Sequence, residues 1–393
     1  MADNLYEKLG ASASKAGLHQ ALKAAGVASH SGLFAVVNAD IAGDSDFLSF
    51  IHCDGAGTKS IIAYLLVKAT GNSGHYAGLA QDALVMNLDD IYCLGVPDSL
   101  ILANTIARNA RIIGDEVIAE LVGRYRRLVE ELNSHGVPLA LSGGETADMG
   151  DVVRSLVVDA VVAGRIAKKN LIDTNNIAVG DVIVGLASSG QASYEDFRNS
   201  GIGSNGLTLA RHALLKREYA HTEPDIVDAA GLNDASYSGP FSVTDTPAEL
   251  EGMSVGEALL SPTRTFAPVL NKIYSAHAAE VHGAIHVTGG GLTKVLRFGP
   301  GGLRFVKDSP IEPPAIFKLI QQHGGVSWKE MYQVFNMGQR LELYTAPSAV
   351  DAIIEQSKQM NIHAQVIGRV EKSPDKSNSV LVKSPHGEFE YKE

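Results

Sequence analysis

From Gly114 to Gly136, apolar Val117, Ile118, Leu121, Val122, Tyr125, Leu128, Val129 and Leu132 recur at steps of three and four. A helix turns every 3.6 residues, so these positions share one face, and the spacing predicts an amphipathic helix with that face buried. Two unbroken β-branched runs, SLVVDAVVAG at 155–164 and DVIVGLASS at 181–189, read instead as strands covered on both faces or at an interface. Between them, RIAKKNLIDTNNIAVGD is polar and turn-rich, which places a domain boundary near residue 168 and predicts domains 1–168 and 169–393. The second half repeats the alternation: a helix opening at SNGLTLARHALL, another in TFAPVLNKIYSAH, a strand in GAIHVTG and a closing helix in AVDAIIEQSKQM. The fold class is therefore α/β in two layered domains. Residues 218–254, rich in Asp, Pro, Gly and Ser, read as a surface excursion. Near the N-terminus, Leu18, Ala21, Leu22 and Ala25 suit the inward face of a short helix, or the segment is a tail bringing Lys15 or Lys23 over a ligand.

A chain of 393 residues, 45% hydrophobic and 20% charged, can bury a large core. Its formal net charge of −11 gives no footing for nucleic acid, so any phosphate must be held locally. No apolar run approaches the roughly 20 residues that cross a bilayer, which points away from a membrane. Only Cys53 and Cys93 are present, without CxxC spacing, as suits a reducing, cytoplasmic compartment.

Three polar interruptions carry the candidate chemistry. In FLSFIHCDGAGTKSIIAYLL, an apolar strand leads into Asp54, Gly55, Gly57, Thr58 and Lys59 before a second apolar run. Glycines allow close backbone approach, lysine supplies a point charge for phosphate, and aspartate can bind a hard cation; a plain strand-to-helix turn would read the same way. In GLAQDALVMNLDDIYCLGV, an apolar helix contains Asp82, Asn87, Asp89 and Asp90. Asp82 and Asp89 are seven apart and share a face, with Asp90 beside it, and a core-facing helix tolerates acids only when they are paired or bind metal. In LALSGGETADMGDVVRS, a strand ends at Gly143 and Gly144 and then presents Glu145, Thr146, Asp148 and Asp151. Carboxylates 4 Å apart repel by about 4 kcal/mol at an effective dielectric near 20. A divalent ion between them would relieve this, and oxygen ligands beside phosphate favour Mg2+ over zinc. The predicted metal set is Asp54, Asp90 and Glu145, with Asp82 and Asp89 next.

DGAGTK, ALVMNLDDI, SGGETADM, GSNGLTLAR, LLSPTRTFAPVL, HVTGGG and MYQVFNMG occur in this order between about residues 47 and 370. The set resembles the aminoimidazole ribonucleotide synthetase family, the phosphoribosylformylglycinamidine cyclo-ligases. That resemblance implies an ATP-dependent ring closure in purine biosynthesis. It also implies a homodimer whose N-terminal sheets join into a barrel, with nucleotide in a cleft between the domains. On this basis Asp54, Lys59, Asp90 and Glu145 are the expected catalytic set, and Gly55, Gly57, Thr58, Lys59, Asp89, Gly143, Gly144 and Thr146 are expected around ATP. The ribonucleotide substrate is expected at Ser204, Asn205, Gly206, Thr263, Arg264, His286 and Asn336.

Each substrate-side residue also has a structural reading: Asn205 as a helix cap, Arg264 paired to an acid, His286 buried in a strand, and Asn336 with Gly338 at a bulge. Met331 and Met337 read as core. The chain departs from the usual family pattern in four places, one being DMGD after GGETA where EMPG is typical. Asp89 stands where Asn is usual, QASYEDFRNSGI at 191–202 is extra, and Gly203 occupies a histidine position. Thiamine-phosphate kinase, selenophosphate synthetase and a hydrogenase maturation protein share the two-domain plan, and a nucleotide sensor is the non-catalytic alternative. The absence of Cys before Cys53 weighs against the selenophosphate chemistry.

Overall fold

A computed structural model of the chain describes residues 4–11, 21, 24, 32–227 and 231–392. After a short helix α1 (Leu5–Lys8), the first sheet and its helices run β1 (Asn38–Ala39), β2 (Phe47–Gly55), α2 (Lys59–Thr70), α3 (Gly78–Tyr92), β3 (Ser99–Arg108), α4 (Asp115–Ser134), β4 (Leu139–Asp148) and β5 (Leu156–Ala167). The second half runs β6 (Val182–Ala187), α5 (Leu207–Leu214), α6 (Tyr219–Thr222), α7 (Val255–Leu260), α8 (Ala267–His277), β7 (Val281–His286), β8 (Leu303–Lys307), α9 (Ala315–Gly324), α10 (Trp328–Val334), β9 (Gln339–Thr345), α11 (Val350–Gln359), β10 (Ala364–Lys372), β11 (Ser379–Ser384) and β12 (Gly387–Lys392).

The strands form a five-stranded sheet of order β1-β2-β5-β3-β4 and a seven-stranded sheet of order β12-β11-β8-β10-β6-β9-β7. Among the described strands, β3 with β4 and β8 with β11 run parallel and the other pairs are antiparallel. Helix α3 lies across β2 and β5 on one face of the first sheet, and it also touches β7 and α8 of the second half. It is therefore covered nearly all round, with residues 79–89 buried throughout. The opposite face of the first sheet is open: Ile51, Val157 and Ile101, which share that face by register, are 68%, 39% and 53% exposed.

The amphipathic helix forms as its spacing predicts, burying Val117, Leu121, Tyr125, Leu128 and Leu132, while Val122 at the margin of the stripe is exposed. Strand β5 is covered on one face only, because among the described residues nothing packs on the other. The 142–148 stretch differs more. β4 does not end at Gly143 but runs on to Asp148, because β3 continues beside it past a bulge between Leu102 and Asn104. Residues 218–254 are irregular, yet they bury Ile226, Val227, Tyr237, Val243 and Leu250 instead of standing off the surface. Of the N-terminal residues, Ala21 is helical and exposed, not inward; Lys15, Leu18, Leu22, Lys23 and Ala25 lie outside the described residues.

One glycine is fixed by the second sheet. A Cβ on Gly368, at the irregularity in β10, would stand 1.9 Å from the Val306 carbonyl oxygen of neighbouring β8. Backbone cannot retreat there without opening the ladder. Gly368→Ala is expected to destabilise the protein by about 1–3 kcal/mol in urea unfolding with little change of slope.

Candidate functional site

Asp82 and Asp89 do share a face of α3, and that face meets the 261–266 segment of the second half. Asp82 Oδ1 accepts from the Thr263 backbone N–H at 2.8 Å, from Thr263 Oγ1 at 2.5 Å and from Ser204 Oγ at 3.0 Å. Asp89 Oδ1 accepts from Thr265 Oγ1 at 2.7 Å and from the Phe266 N–H at 3.0 Å. Lys59, the first residue of α2, is fully buried against the same cluster. Its ammonium donates to Asp82 Oδ1 at 2.8 Å, to the Ser261 carbonyl at 2.6 Å and to the Gly203 carbonyl at 3.2 Å. Those three bonds use all three ammonium protons. Burial pushes the Lys59 pKa down, and Asp82 opposes that push.

A second chain of contacts runs along the other acids. Arg340, buried on β9, donates through Nη2 to Asp89 Oδ2 at 3.0 Å and to the Arg264 carbonyl, and through Nη1 to His286 Nε2 at 2.6 Å. With Nε2 accepting, His286 Nδ1 carries the proton and donates to Asp90 Oδ1 at 2.6 Å. Burial, then Arg340, holds the His286 pKa below the usual histidine value. Burial works to raise Asp90, but the Lys294 charge and the hydrogen bonds from His286 and His52 outweigh it and hold its carboxyl far below the usual range. His52 lies 3.5 Å from Asp90 through Nε2 and 2.9 Å from Asn87 Oδ1 through Nδ1. Burial lowers His52, yet Asp90, Asn87 and Asp54 together hold its pKa above the usual value.

Several expected ligand contacts are therefore internal ones. Lys59 is sealed under Gly203 and Ser261 and has no proton left for a phosphate. Asp82 and Asp89 are held by the second domain, Asp82 through Oδ1 alone with Thr263 and Ser204 as donors, while Asp82 Oδ2 is buried without a hydrogen-bond partner among the described residues. Arg264 is no phosphate clamp: Nε and Nη2 grip both oxygens of Glu195 at 2.9 and 2.6 Å, and Nη1 donates to the carbonyls of Ala187 and Ser189. Glu195 belongs to the extra 191–202 segment, and Tyr194 beside it donates to the Thr265 carbonyl at 2.5 Å. Asn336 is likewise satisfied, donating to the Gly201 and Ile202 carbonyls and accepting from Ser188 Oγ and the Gly338 N–H. Gly206 caps α5 at φ 76°, where a Cβ would overlap the Phe335 ring. Asn205 is half-buried and faces Gly289.

What remains at the surface between the domains is the strand-to-helix turn. Asp54, Gly57 and Thr58 are exposed, and Thr58 Oγ1 lies 3.3 Å from Thr208 Oγ1 on α5. Across the gap, Lys294 carries a charge that both Asp54 and Asp90 attract, and its ammonium is 2.5 Å from Thr288 Oγ1. Burial of Lys294 works against those carboxylates and lowers its pKa.

Glu145 does not join this group. Gly55, Asp159, Thr105 and Glu145 form one rung across β2, β5, β3 and β4, which puts Glu145 on the open face, whereas Asp54 on the next rung faces α3. At about 4.8 Å per strand, β4 is about 14 Å from β2. Gly143, Gly144 and Thr146 lie exposed on the same distant strand. Among the described residues no group of three or more His, Cys, Asp or Glu side chains is placed to hold a metal ion. The Asp54, Asp90 and Glu145 set therefore does not fit magnesium within one chain.

Sequence reasoning missed Arg340, His52, Glu195, Lys294 and Asp159. The first four are isolated polar residues in apolar or irregular stretches, with no spacing to mark them. Asp159 stood out only as an acid inside a β-branched run; its carboxylate occupies the space of the missing Gly55 side chain, 1.7 Å from where a Cβ would stand. Burial, then Asp54, raises the Asp159 pKa.

Because Lys59 is the one cation in ion-pair contact with Asp82 among the described residues, Lys59→Met is expected to cost about 3–5 kcal/mol. The loss should appear as a lower urea midpoint, and Lys59→Met/Asp82→Leu should recover part of it.

The chain matches two family models, AIR synthase related protein, N-terminal domain over residues 34–166 and C-terminal domain over 178–380. A relative named phosphoribosylformylglycinamidine cyclo-ligase from Carboxydothermus hydrogenoformans is 31% identical over 351 residues, covering 88% of this chain and 86% of that protein. One of the same name from Methanocaldococcus jannaschii is 30% identical, covering 83% and 80%. Another, from Methanosarcina mazei, is 30% identical over 65% of this chain, which spans 63% of that relative's length. Among solved structures, HypE in a HypE-HypF complex superposes with a TM-score of 0.56 at 12% identity, covering 96% of this chain and 98% of that one. Thiamine monophosphate kinase from Aquifex aeolicus gives 0.52 at 12%, covering 95% and 97%. PurL of Thermotoga maritima complexed with FGAR gives 0.51 at 16%, covering 91% of this chain and 46% of that one. At such identities these three likenesses concern the fold. With both models matched in order and relatives aligned through both sheets, the chain belongs to the AIR synthase related protein family.

Proposed function

We propose that this protein is an ATP-dependent phosphoribosylformylglycinamidine cyclo-ligase. The observation that carries the reading is that relatives of that name align along 83% and 88% of the chain, through both sheets and the cleft between them. In the proposed reaction the formyl amide oxygen of formylglycinamidine ribonucleotide attacks the terminal phosphorus of ATP, releasing ADP. A nitrogen of the same substrate then attacks the activated carbon, the ring closes, and the oxygen departs as phosphate with loss of a proton. An amide oxygen leaves poorly, so its activation is what ATP supplies. The protein's part in such a transfer is positioning and charge neutralisation.

Lys294, which faces the cleft, suits the phosphates better than the sealed Lys59. The backbone N–H groups of Gly57 and Thr58 stand opposite it, those of Gly55 and Ala56 being spent on Asp54 Oδ1 and the Val158 carbonyl, with Asn205 and Thr208 on the substrate side. Asp90 and His286 act by holding the two halves of the cleft in register. Magnesium enters with ATP in this account, and no step is routed through a protein-held ion, since one chain does not gather the ligands. The reading includes a cytoplasmic setting; among the described residues no helix is long and apolar enough to cross a membrane.

We further infer a homodimer through the open face of the first sheet. Apolar Ile51, Ile101 and Val157 on a continuous sheet face are a surface that a second copy would cover. Glu145 and Asp159 lie at the end of that same face, so pairing would bring acids of two chains near the cleft mouth.

With ATP, magnesium and formylglycinamidine ribonucleotide, the protein is expected to form ADP and aminoimidazole ribonucleotide in equal amounts. ADP appearing only with thiamine phosphate or selenide, or ATP binding without turnover of any of these, would overturn the assignment. Lys294→Met is expected to lower kcat/KM at least 100-fold, read by steady-state kinetics, and to lower Tm in a parallel melting curve because its charge also supports ionised Asp90; Lys294→Arg is expected to restore Tm more fully than kcat/KM. Sedimentation is expected to show a dimer that Ile101→Glu converts to monomer.

A further inference from the structure

Beyond the cleft, a cavity of about 320 Å3 lies between α5, the residues after α1 and the 226–237 segment. Arg211 and His212 of α5 line it, with Thr208, Lys8, Ser236 and Tyr237. Arg211 is only 6% exposed, and its Nε and Nη1 have no hydrogen-bond acceptor among the described residues. Its Nη2 lies 3.2 Å from His212 Nε2. That contact does not satisfy it. His212 Nδ1 stands 3.0 Å from the backbone N–H of Tyr237, which can only donate, so Nδ1 is the acceptor and the ring proton sits on Nε2. Burial, with help from Arg211 and Arg217, pushes the His212 pKa down to about 3, which keeps the ring neutral and the tautomer single. An arginine N–H and a histidine N–H therefore point at each other with no acceptor between them.

Two further features hold this arrangement in place. Tyr237 is buried with φ 51°, a left-handed backbone that a non-glycine residue adopts only when its surroundings force it. Its ring meets His212 edge-on at 4.4 Å and lies 5.7 Å from the Arg211 guanidinium. No carboxylate is among the described lining residues, in a chain of net charge −11. The Tyr237 hydroxyl works against burial to favour the Arg211 charge, but it leaves Nε and Nη1 without an acceptor among the described residues, and two such buried N–H groups are strongly unfavourable unless a ligand supplies acceptors.

We propose that this cavity is a phosphomonoester site, in which Arg211 and the His212 Nε2–H grip the phosphate of a sugar-phosphate ligand. A tetrahedral dianion offers acceptors in several directions at once, as the guanidinium fork, the imidazole N–H and the Thr208 and Ser236 hydroxyls require. The volume leaves room for a sugar behind the phosphate. Thr208 on the rim also contacts Thr58 of the strand-to-helix turn. Under the cyclo-ligase reading, on which this last identification rests, the occupant is the 5′-phosphate of the ribonucleotide; the binding site itself stands without it.

Calorimetric titration of the full chain with ribose 5-phosphate, ribose and inorganic phosphate tests the site directly. Ribose 5-phosphate is expected to bind at least 30-fold more tightly than ribose and 10-fold more tightly than inorganic phosphate. Arg211→Met is expected to abolish the preference over ribose while leaving Tm unchanged or higher, since an unpaired buried charge is removed. Equal affinity of wild type and Arg211→Met for ribose 5-phosphate would overturn the proposal, as would a Tm fall of more than 5 °C, which would show that Arg211 has a structural partner. Inorganic phosphate binding as tightly as the sugar phosphate would overturn the sugar-phosphate assignment in favour of free phosphate. In turnover, a 30-fold rise in KM for the ribonucleotide with KM for ATP unchanged would tie the site to the substrate. Wild-type protein that binds ribose 5-phosphate yet turns over no formylglycinamidine ribonucleotide would refute the cyclo-ligase reading and leave this site standing.

Discussion

A carboxylate inside a helix that is covered on all sides must find a counter-charge or a set of donors, and α3 carries three such carboxylates. Their partners all come from elsewhere in the chain: Lys59 and Thr263 for Asp82, Arg340 and Thr265 for Asp89, His286 for Asp90. The two domains are thus joined through one buried ion pair, Arg340 with Asp89, and through hydrogen bonds to the carboxylates of Asp82 and Asp90, which tolerate little displacement because separation would strand charge in a low-dielectric interior. An apolar contact of the same area could slide. This one sets the relative position of the sheets, and with it the width of the cleft between the Asp54 turn and Lys294.

The same constraint explains where sequence reasoning succeeded and where it stopped. Helix periodicity at 114–136, the β-branched runs and the strand-to-helix turn at DGAGTK are local signals, and local geometry answers them. The seven-residue spacing of Asp82 and Asp89 likewise put both on one face. What that face meets is a matter of tertiary packing, and an aspartate that binds an ion looks the same in sequence as one that binds a backbone N–H. For the same reason Lys59 and Arg264 read as phosphate ligands, although their partners, the Ser261 carbonyl and Glu195, lie 202 and 69 residues away. Glu145 was displaced by a different cause. Parallel pairing with β3 carried the strand on through SGGETAD, so the residue alternated onto the open face.

The division of labour between buried and exposed charge has a chemical meaning. Groups that could neutralise a phosphate are either spent inside the fold, Lys59 between the domains and Arg264 within the second, or half-buried near Asp54, as Lys294 is. Arg211 belongs to neither class, since it is buried without being spent. An acidic protein can hold an anionic ligand most readily where a cation is withheld from its own carboxylates, and the α5 cavity, with no carboxylate among its described lining residues, is such a place.

The 191–202 segment bears on how such a chain can vary. Glu195 supplies both oxygens that neutralise Arg264, so the loop and the arginine are one electrostatic unit although they lie far apart in sequence. Cutting out residues 191–202 would take away the counter-charge of Arg264 and leave its guanidinium with the Ala187 and Ser189 carbonyls alone, so the loop's length and the arginine's burial are not independent variables.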